Sequence, residues 1–355
     1  MRREPVTLAV LFCLALFSTP APGRAQESAP APPAPAPPAR LFATPAPLVF
    51  TLETDLRRLL RDRGTGRAEH RATLRYVALG GDTVSLDVDV RTRGIFRLKR
   101  CAFPPLRLDF PASRVHGTAF AGQDKLKLVT HCRSGRSPYE QNVLQEYLLY
   151  GIFNVLTERS FRARLARVTY VDTTGRDEPL TRYAVLLESE DELARRLGAM
   201  VVASANVHDL LIEPEHLTLV AVFQYLIGNT DWSIWGLHNI TILRDTAGTL
   251  FGIPYDFDFA GVIAAPYASP PPQLSIRSVR ERLYRGFCQP DTLLASVLAR
   301  FRAAKDSIYA LYRSVPDLSP GGARQALDYF DAFYKTINDP AAVRREFVRG
   351  CRRPS

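Results

Sequence analysis

The sequence predicts an α+β protein of two lobes, a strand-rich N-terminal half followed by a mainly helical C-terminal half. Three observations point there. From Val49 to Asp109 apolar and polar residues alternate at the period of half-buried strands. "SPYEQNVLQEYLLYGIFNVLTERS" then forms one long helix, and beyond about residue 190 apolar residues recur mostly at helical spacing. With 355 residues and 46% hydrophobic content, the chain is long enough to bury a sizeable core.

The first residues carry two arginines, an apolar run from Thr7 to Phe17 and the small-residue site Gly23-Arg24-Ala25, the layout of a secretory signal peptide over 1–25. Residues 26–48 are a Pro/Ala-rich linker that cannot build a core. Folding is expected from residue 49, with an N-lobe over 49–187 and a C-lobe over 188–355. The product is then exported, periplasmic or secreted, with no stable membrane span after signal cleavage. In such a compartment Cys101, Cys132, Cys288 and Cys351 form disulfides. Cys101 with Cys132 and Cys288 with Cys351 is the preferred pairing, since each pair lies within one half of the chain.

The net charge of +10 favours acidic partners. Its cations are interleaved with Asp and Glu, however, and no arginine stripe carries regularly spaced aromatics, so nucleic acid is not expected as a partner.

In chain order, "LVFTLE" is a strand and "DLRRLLRDRG" a short basic helix. "RATLRYVALGGDTVSLDVDVRTRG" gives two strands about a Gly80-Gly81-Asp82 turn, and "PLRLDF" and "KLKLVTH" give two more. The long helix is capped by Ser137, with Pro138 in its first turn and Glu140 completing a capping box. Its apolar residues surround the axis, so Glu146 is buried and needs a cationic or hydrogen-bonding partner. "RLARVTYVD" and "RYAVLLE" are strands, and Ser189 caps the helix "SEDELARRLG". "LTLVAVFQYLIG", "TLLASVLARFRAAKDSIYALYRSV" and "GGARQALDYFDAFYKTIND" are helices.

The chemistry gathers in "GNTDWSIWGLHNITILRDTAGTLFGIPYDFDFAG". "NITIL" and "TLFGIP" read as a hairpin turning at Asp245 to Gly248. Its open end brings Asn239 beside Asp256 and Asp258, while Asp231, Trp232 and His238 arrive from the preceding loop. An oxygen-only set of Asn239, Asp256 and Asp258 suits Mg2+ (or Mn2+) better than zinc. Asp231 is left as a base or orienting group, the arrangement that phosphoryl transfer uses. On spacing alone His238 reads as a packed or supporting histidine.

With those residues in hand, the chain resembles the atypical kinases typified by the spore-coat kinase CotH, more distantly HipA-like kinases, and most of all their exported bacterial members. The likeness runs in order through "DVDVRTRGIFRLKRC", "LRLDF", "KLKLVTH", "VLQEYLLYGIFN" and "YAVLLESEDELA" to "NTDWSIWGLHN" and "IPYDFD". It implies a two-lobed protein-kinase-like fold, with an antiparallel N-terminal sheet lobe holding one long helix and a helical C-terminal lobe holding a catalytic hairpin. It also implies Asp231 as catalytic residue, Asn239, Asp256 and Asp258 as metal ligands, and ATP or another nucleotide as ligand.

Glu146 takes the place of the helix glutamate that pairs with a nucleotide-contacting cation. Arg107 is the first choice for that cation, with Lys99, Arg100 and Lys127 as alternatives. Val185 to Glu188 is the hinge whose backbone meets adenine. The Asp231 to Asn239 separation departs from the family pattern and leaves Asn229 as an alternative to Asn239. The small polar residues after Arg-Gly are missing, and Tyr255 replaces a tryptophan.

The function implied is an exported kinase that transfers phosphoryl to a protein of the cell envelope or another hydroxyl acceptor. The alternative is a non-catalytic pseudokinase or envelope-binding module, since a periplasm holds little ATP. A metal-dependent hydrolase fits the carboxylates but not the histidine spacing.

Overall fold

The computed structural model describes residues 40–135, 138–203, 207–315 and 317–353. The signal peptide over 1–25, the linker up to residue 39 and the Ser137 cap lie outside the described residues.

Seven strands occupy the first half: β1 (Leu48–Thr54), β2 (His70–Val77), β3 (Thr83–Thr92), β4 (Leu106–Asp109), β5 (Lys125–Val129), β6 (Ala163–Asp172) and β7 (Leu180–Leu187). Alternation sets their inward face: Leu48, Phe50 and Leu52 of β1 are buried, as are Leu86, Val88 and Val90 of β3. The β2–β3 hairpin turns through Gly81 at φ +89°, a left-handed conformation that glycine adopts without strain.

The two-lobed, protein-kinase-like fold with an antiparallel sheet lobe is corrected here. The strands close into a mixed barrel in the order β1-β2-β3-β4-β5-β7-β6. β1 uses both its edges, pairing antiparallel with β2 and parallel with β6 from Leu48↔Ala166 to Thr54↔Asp172. Two contacts fasten the seam: Thr173 N–H donates to Thr54 O at 3.0 Å, and the Asp172 carboxylate accepts Leu56 N–H at 3.1 Å. Closure gives every strand of the ring a partner on each side. Side chains from every strand fill the interior, with Phe50, Leu74, Leu108, Leu126, Tyr170 and Leu186 among them. It is a packed core.

Short helices join these strands. In α1 (Leu56–Arg61) the Asp55 carboxylate caps the start by accepting Arg58 N–H at 3.0 Å. α2 (Phe96–Arg100) follows β3 directly. The Cys101–Cys132 disulfide then ties the end of α2 to the residue region just beyond β5.

α3 (Pro138–Leu156) packs against β6, β7 and the later helix α6 (Asp291–Ser314), so it joins the barrel to the helical half. Glu140 Oε1 accepts Tyr183 N–H at 2.8 Å and ties α3 to β7; the capping box expected with Ser137 lies outside the described residues. α4 (Glu190–Arg196) starts at Ser189, whose hydroxyl accepts Glu192 N–H at 3.1 Å. β8 (Met200–Val202), which the sequence reading misses, pairs with β9 (Ile240–Arg244), and β9 pairs with β10 (Leu250–Pro254).

α5 (Pro214–Ile227) is buried along its length and stops at Gly228, φ +68°, where a Cβ would meet the Tyr329 hydroxyl at 2.0 Å. α6 (Asp291–Ser314), α7 (Pro320–Asn338) and α8 (Pro340–Val343) complete the half. The second disulfide is Cys288–Cys351, at a separation of 63 residues. By loop-closure entropy each disulfide contributes roughly 3–4 kcal/mol. Among the described residues no helix is long and apolar enough to cross a membrane.

Candidate functional site

The hairpin β9–β10 presents its open end to the barrel. Pro254 pairs with Ile240, and the next rung carries Tyr255 N–H to Asn239 O at 3.0 Å, which sets Asn239 beside the start of the Asp256 segment. Asn239 and Asp256 both adopt left-handed backbone, φ +53° and +60°. Asn and Asp tolerate that region better than other residues with a Cβ, yet each position still costs on the order of 1 kcal/mol. Tyr150 of α3 steadies one of them by accepting Asp256 N–H at 2.9 Å on its hydroxyl.

Asp231 enters from the loop after α5. Its N–H is held by Asn229 Oδ1 at 3.0 Å. Asn239 Nδ2 donates to Asp231 O at 2.8 Å and to its Oδ2 at 3.1 Å, which leaves the amide oxygen of Asn239 as its accepting end. His238 Nε2 lies 2.8 Å from Asp231 Oδ1, and this hydrogen bond, helped by the carboxylate charge, raises the His238 pKa. Asp231, Asn239, Asp256 and Asp258 line one cavity of about 400 Å³ together with Arg93 and Phe96.

Beneath the cavity lies a buried charged floor. Arg97 Nη1 is 3.6 Å from Glu146 Oε2, Arg97 Nε is 3.8 Å from Asp258 Oδ2, and Arg97 also donates to Thr130 O. Tyr267 donates its hydroxyl proton to Asp258 at 2.9 Å. Burial pushes the Glu146 carboxyl well above its usual range, against the pull of Arg97. Burial, and next the charge of Asp256, lifts Asp258 to about 7. Glu146 Oε1 and Arg97 Nε are buried without a hydrogen-bond partner among the described residues.

The cation paired with Glu146 is therefore Arg97, which the sequence reading passes over. Residues 96–100 wind into a helix, so Arg97 turns inward while Lys99 and Arg100 stay exposed. Arg107 is instead engaged by Asp109 and by Glu69, the latter at 2.7 Å. Lys127 bonds Glu190 at 2.9 Å and lies 4.6 Å from the Tyr255 ring centroid, next to the cavity; burial lowers its pKa, with Arg93 adding to the effect and Glu190 opposing it.

Glu188 is fully buried and grips Arg196 through both oxygens at 2.8 and 2.9 Å. Its N–H is already donated to Arg162 O at 2.9 Å, so it has no donor left for adenine. Asn229 is buried and used by the Asp231 turn, which leaves Asn239 as the amide at the cavity. Arg93, also missed, lines the cavity and makes no side-chain hydrogen bond or ion pair among the described residues. Its signal was the Arg-Gly step: Gly94, at φ +91°, follows it where β3 has just ended.

The donor set tests whether a metal fits. Every candidate ligand is an oxygen, the preference of a hard cation. Among the described residues no three of His, Cys, Asp and Glu are placed to hold an ion unaided. Magnesium does not require that, since it commonly takes one or two protein oxygens and completes its shell with substrate oxygens and water. Asn239 and Asp256 fit such a role. Compared with known proteins, the chain matches no family model and no curated protein sequence.

Proposed function

We propose that the chain is an exported phosphotransferase that binds ATP or another nucleotide with Mg2+ (or Mn2+) in this cavity and passes a phosphoryl group to a hydroxyl on a cell-envelope protein or other acceptor. The observation that carries the reading is the joint lining of one cavity by Asp231, Asn239, Asp256 and Asp258, with Arg93 on the same wall. Export is supported by the signal-like N-terminus and by two disulfides, which persist in oxidising compartments. The resemblance to the CotH-like kinases supports the same assignment through "NTDWSIWGLHN" and "IPYDFD". The reading asks for the site and not for a kinase lobe.

Asn239 and Asp256 would hold the cation, with Asp258 behind them. Bound there, the cation neutralises phosphate charge. Arg93 contributes a positive charge at the cavity wall for the phosphates. Asp231 takes the proton of the acceptor hydroxyl as its oxygen bonds to phosphorus and the bond to the departing nucleotide breaks. His238, hydrogen-bonded to Asp231, orients that carboxylate. Arg97 and Glu146 keep the floor rigid beneath Asp258.

One observation favours the non-catalytic alternative: both Asp231 oxygens are already engaged, by His238 and by Asn239. Transfer of labelled phosphate from ATP separates the two. The phosphotransferase reading expects incorporation that falls at least a hundredfold in Asp231→Ala. Nucleotide binding without any incorporation, over a broad set of envelope acceptors, favours the binding module.

A further inference from the structure

The loop carrying Asp231 hangs between α5 and β9, and a segment 55 residues further along holds it from outside. That segment works first on the end of α5, which has no basic residue in its own last turn. Arg282 supplies the charge by donating to Tyr225 O at 3.0 Å, which also accepts Gly228 N–H at 3.2 Å, and to Leu226 O at 3.2 Å. Arg285 then reaches the loop itself. Its Nη1 donates to Thr230 O and, at 2.7 Å, to Trp232 O, the two carbonyls on either side of Asp231. Its guanidinium also lies 5.6 Å from the centroid of the buried Trp232 ring.

The segment is itself fastened. Gly286 sits so close to α5 that a Cβ would come within 2.8 Å of Ala221. Arg352 N–H donates to Gly286 O at 2.8 Å, and Cys288 N–H donates to Arg352 O at 2.9 Å. The Cys288–Cys351 disulfide closes this short parallel bridge. A continuous brace runs from the C-terminal region through 285–288 to the carbonyls of Thr230 and Trp232, the residues on either side of Asp231.

We propose that Arg285 is a positioning residue for Asp231, and that the Cys288–Cys351 disulfide holds the strap that carries it. The kinetic consequence rests on the phosphoryl-transfer reading, whereas placement of the loop is measurable without it. Without Arg285 the carbonyls of Thr230 and Trp232 lose their shared donor, and the loop is held at Asp231 by its contacts to Asn229 and Asn239 without that brace on either side. A lysine reaches the same carbonyls with one ammonium, because both bonds use a single nitrogen, but it loses the stacking on Trp232.

The chain has two tryptophans, Trp232 and Trp235, both in this loop. In a Trp235→Phe background the emission reports Trp232 alone. Arg285→Ala is expected to shift that emission to the red and at least double its quenching by acrylamide, while Arg285→Lys stays within about 30% of the parent. Dithiothreitol, which reduces the S–S bond to two thiols as it closes to its own cyclic disulfide, should reach Cys288, exposed, before the buried Cys101 and Cys132. The same emission shift, reversed on reoxidation, is expected.

In transfer assays kcat falls at least tenfold in Arg285→Ala with KM for ATP changed less than threefold, and Arg285→Lys recovers at least a third of kcat. Unchanged Trp232 signals in both Arg285→Ala and the reduced protein overturn the proposal, as does an unchanged kcat beside a moved Trp232. A parent protein with no turnover rejects the phosphotransferase reading, and the Trp232 signals then decide the brace alone. Should Arg285→Ala fail to fold, selective reduction and the lysine variant decide it by the same criteria.

Discussion

Arg97 and Glu146, on two helices separated in sequence by β4 and β5, meet at 3.6 Å with both side chains buried, and the same guanidinium stands 3.8 Å from Asp258. This contact couples the rim of the barrel to the helix beneath the cavity and to the hairpin segment above it. Arg97→Ala leaves two carboxyls buried without their cation. Breaking such a pair costs about 3 kcal/mol or more. Urea unfolding is expected to show that loss, and Arg97→Met combined with Glu146→Gln is expected to recover at least half of it.

Left-handed backbone at Asp256, φ +60°, makes a second expectation. Asp256→Gly relaxes the backbone and should change stability by no more than about 1 kcal/mol. Asp256→Val places a β-branched residue where it is least tolerated and should cost roughly 2 kcal/mol. On the proposed function both should abolish metal-dependent nucleotide binding, so paired denaturation and binding curves separate strain from ligation.

His216 gives a pH dependence of known sign. It is buried on α5 and bonds Gly252 O at 3.0 Å; burial first, then Arg159 and Arg300, lower its pKa to about 4. The folded value lies below the ordinary 6.5, so the unfolded chain takes the proton first. Stability therefore falls as pH drops from 6.5 toward 4, by up to about 1.4 kcal/mol per pH unit from this group. In His216→Gln, which keeps a donor for Gly252 O, that contribution vanishes. The parent's stability advantage over the variant should shrink by roughly 3 kcal/mol across the window.

Barrel closure is open to hydrogen exchange. Parallel pairing from Leu48↔Ala166 to Thr54↔Asp172 covers the β6-facing edge of β1, while β2 covers the other near Thr51 to Glu53. Amides of Phe50, Leu52, Thr169 and Val171, on the facing edges of β1 and β6, should exchange slowly and together. Rapid exchange confined to the facing edges of β1 and β6 would show an open sheet.

These contacts mark how far the sequence was legible. Strands and helices follow local periodicity, and the turn at Asp245 to Gly248 follows turn chemistry, so the hairpin and the convergence of Asp231, Asn239 and Asp256 could be read directly. Closure could not. An inward face such as Leu48, Phe50 and Leu52 has the same alternation whether a strand is an edge or is paired on both sides. β8 escaped because its three residues are too short to show a period.

Arg107 and Lys127 on strands, and Lys99 and Arg100, were the candidate partners of Glu146; the partner is Arg97 of α2, where helical winding chooses which of Arg97, Lys99 and Arg100 turns inward. The buried grip of the Glu188 side chain on Arg196, and the bond of its N–H to Arg162 O, are contacts that no local pattern carries. Arg285 lies beyond any stretch with a familiar pattern, and its role appears only when Thr230 and Trp232 are seen in space.

Calorimetric titration of the purified protein with ATP, with and without magnesium, addresses the cavity most directly. Saturable binding in the micromolar range that needs magnesium, and that weakens at least fiftyfold in Asp256→Ala while the variant stays folded, is the outcome expected of a site built from Asn239 and Asp256. Binding that is indifferent to both magnesium and Asp256, or no binding at millimolar ATP, contradicts it.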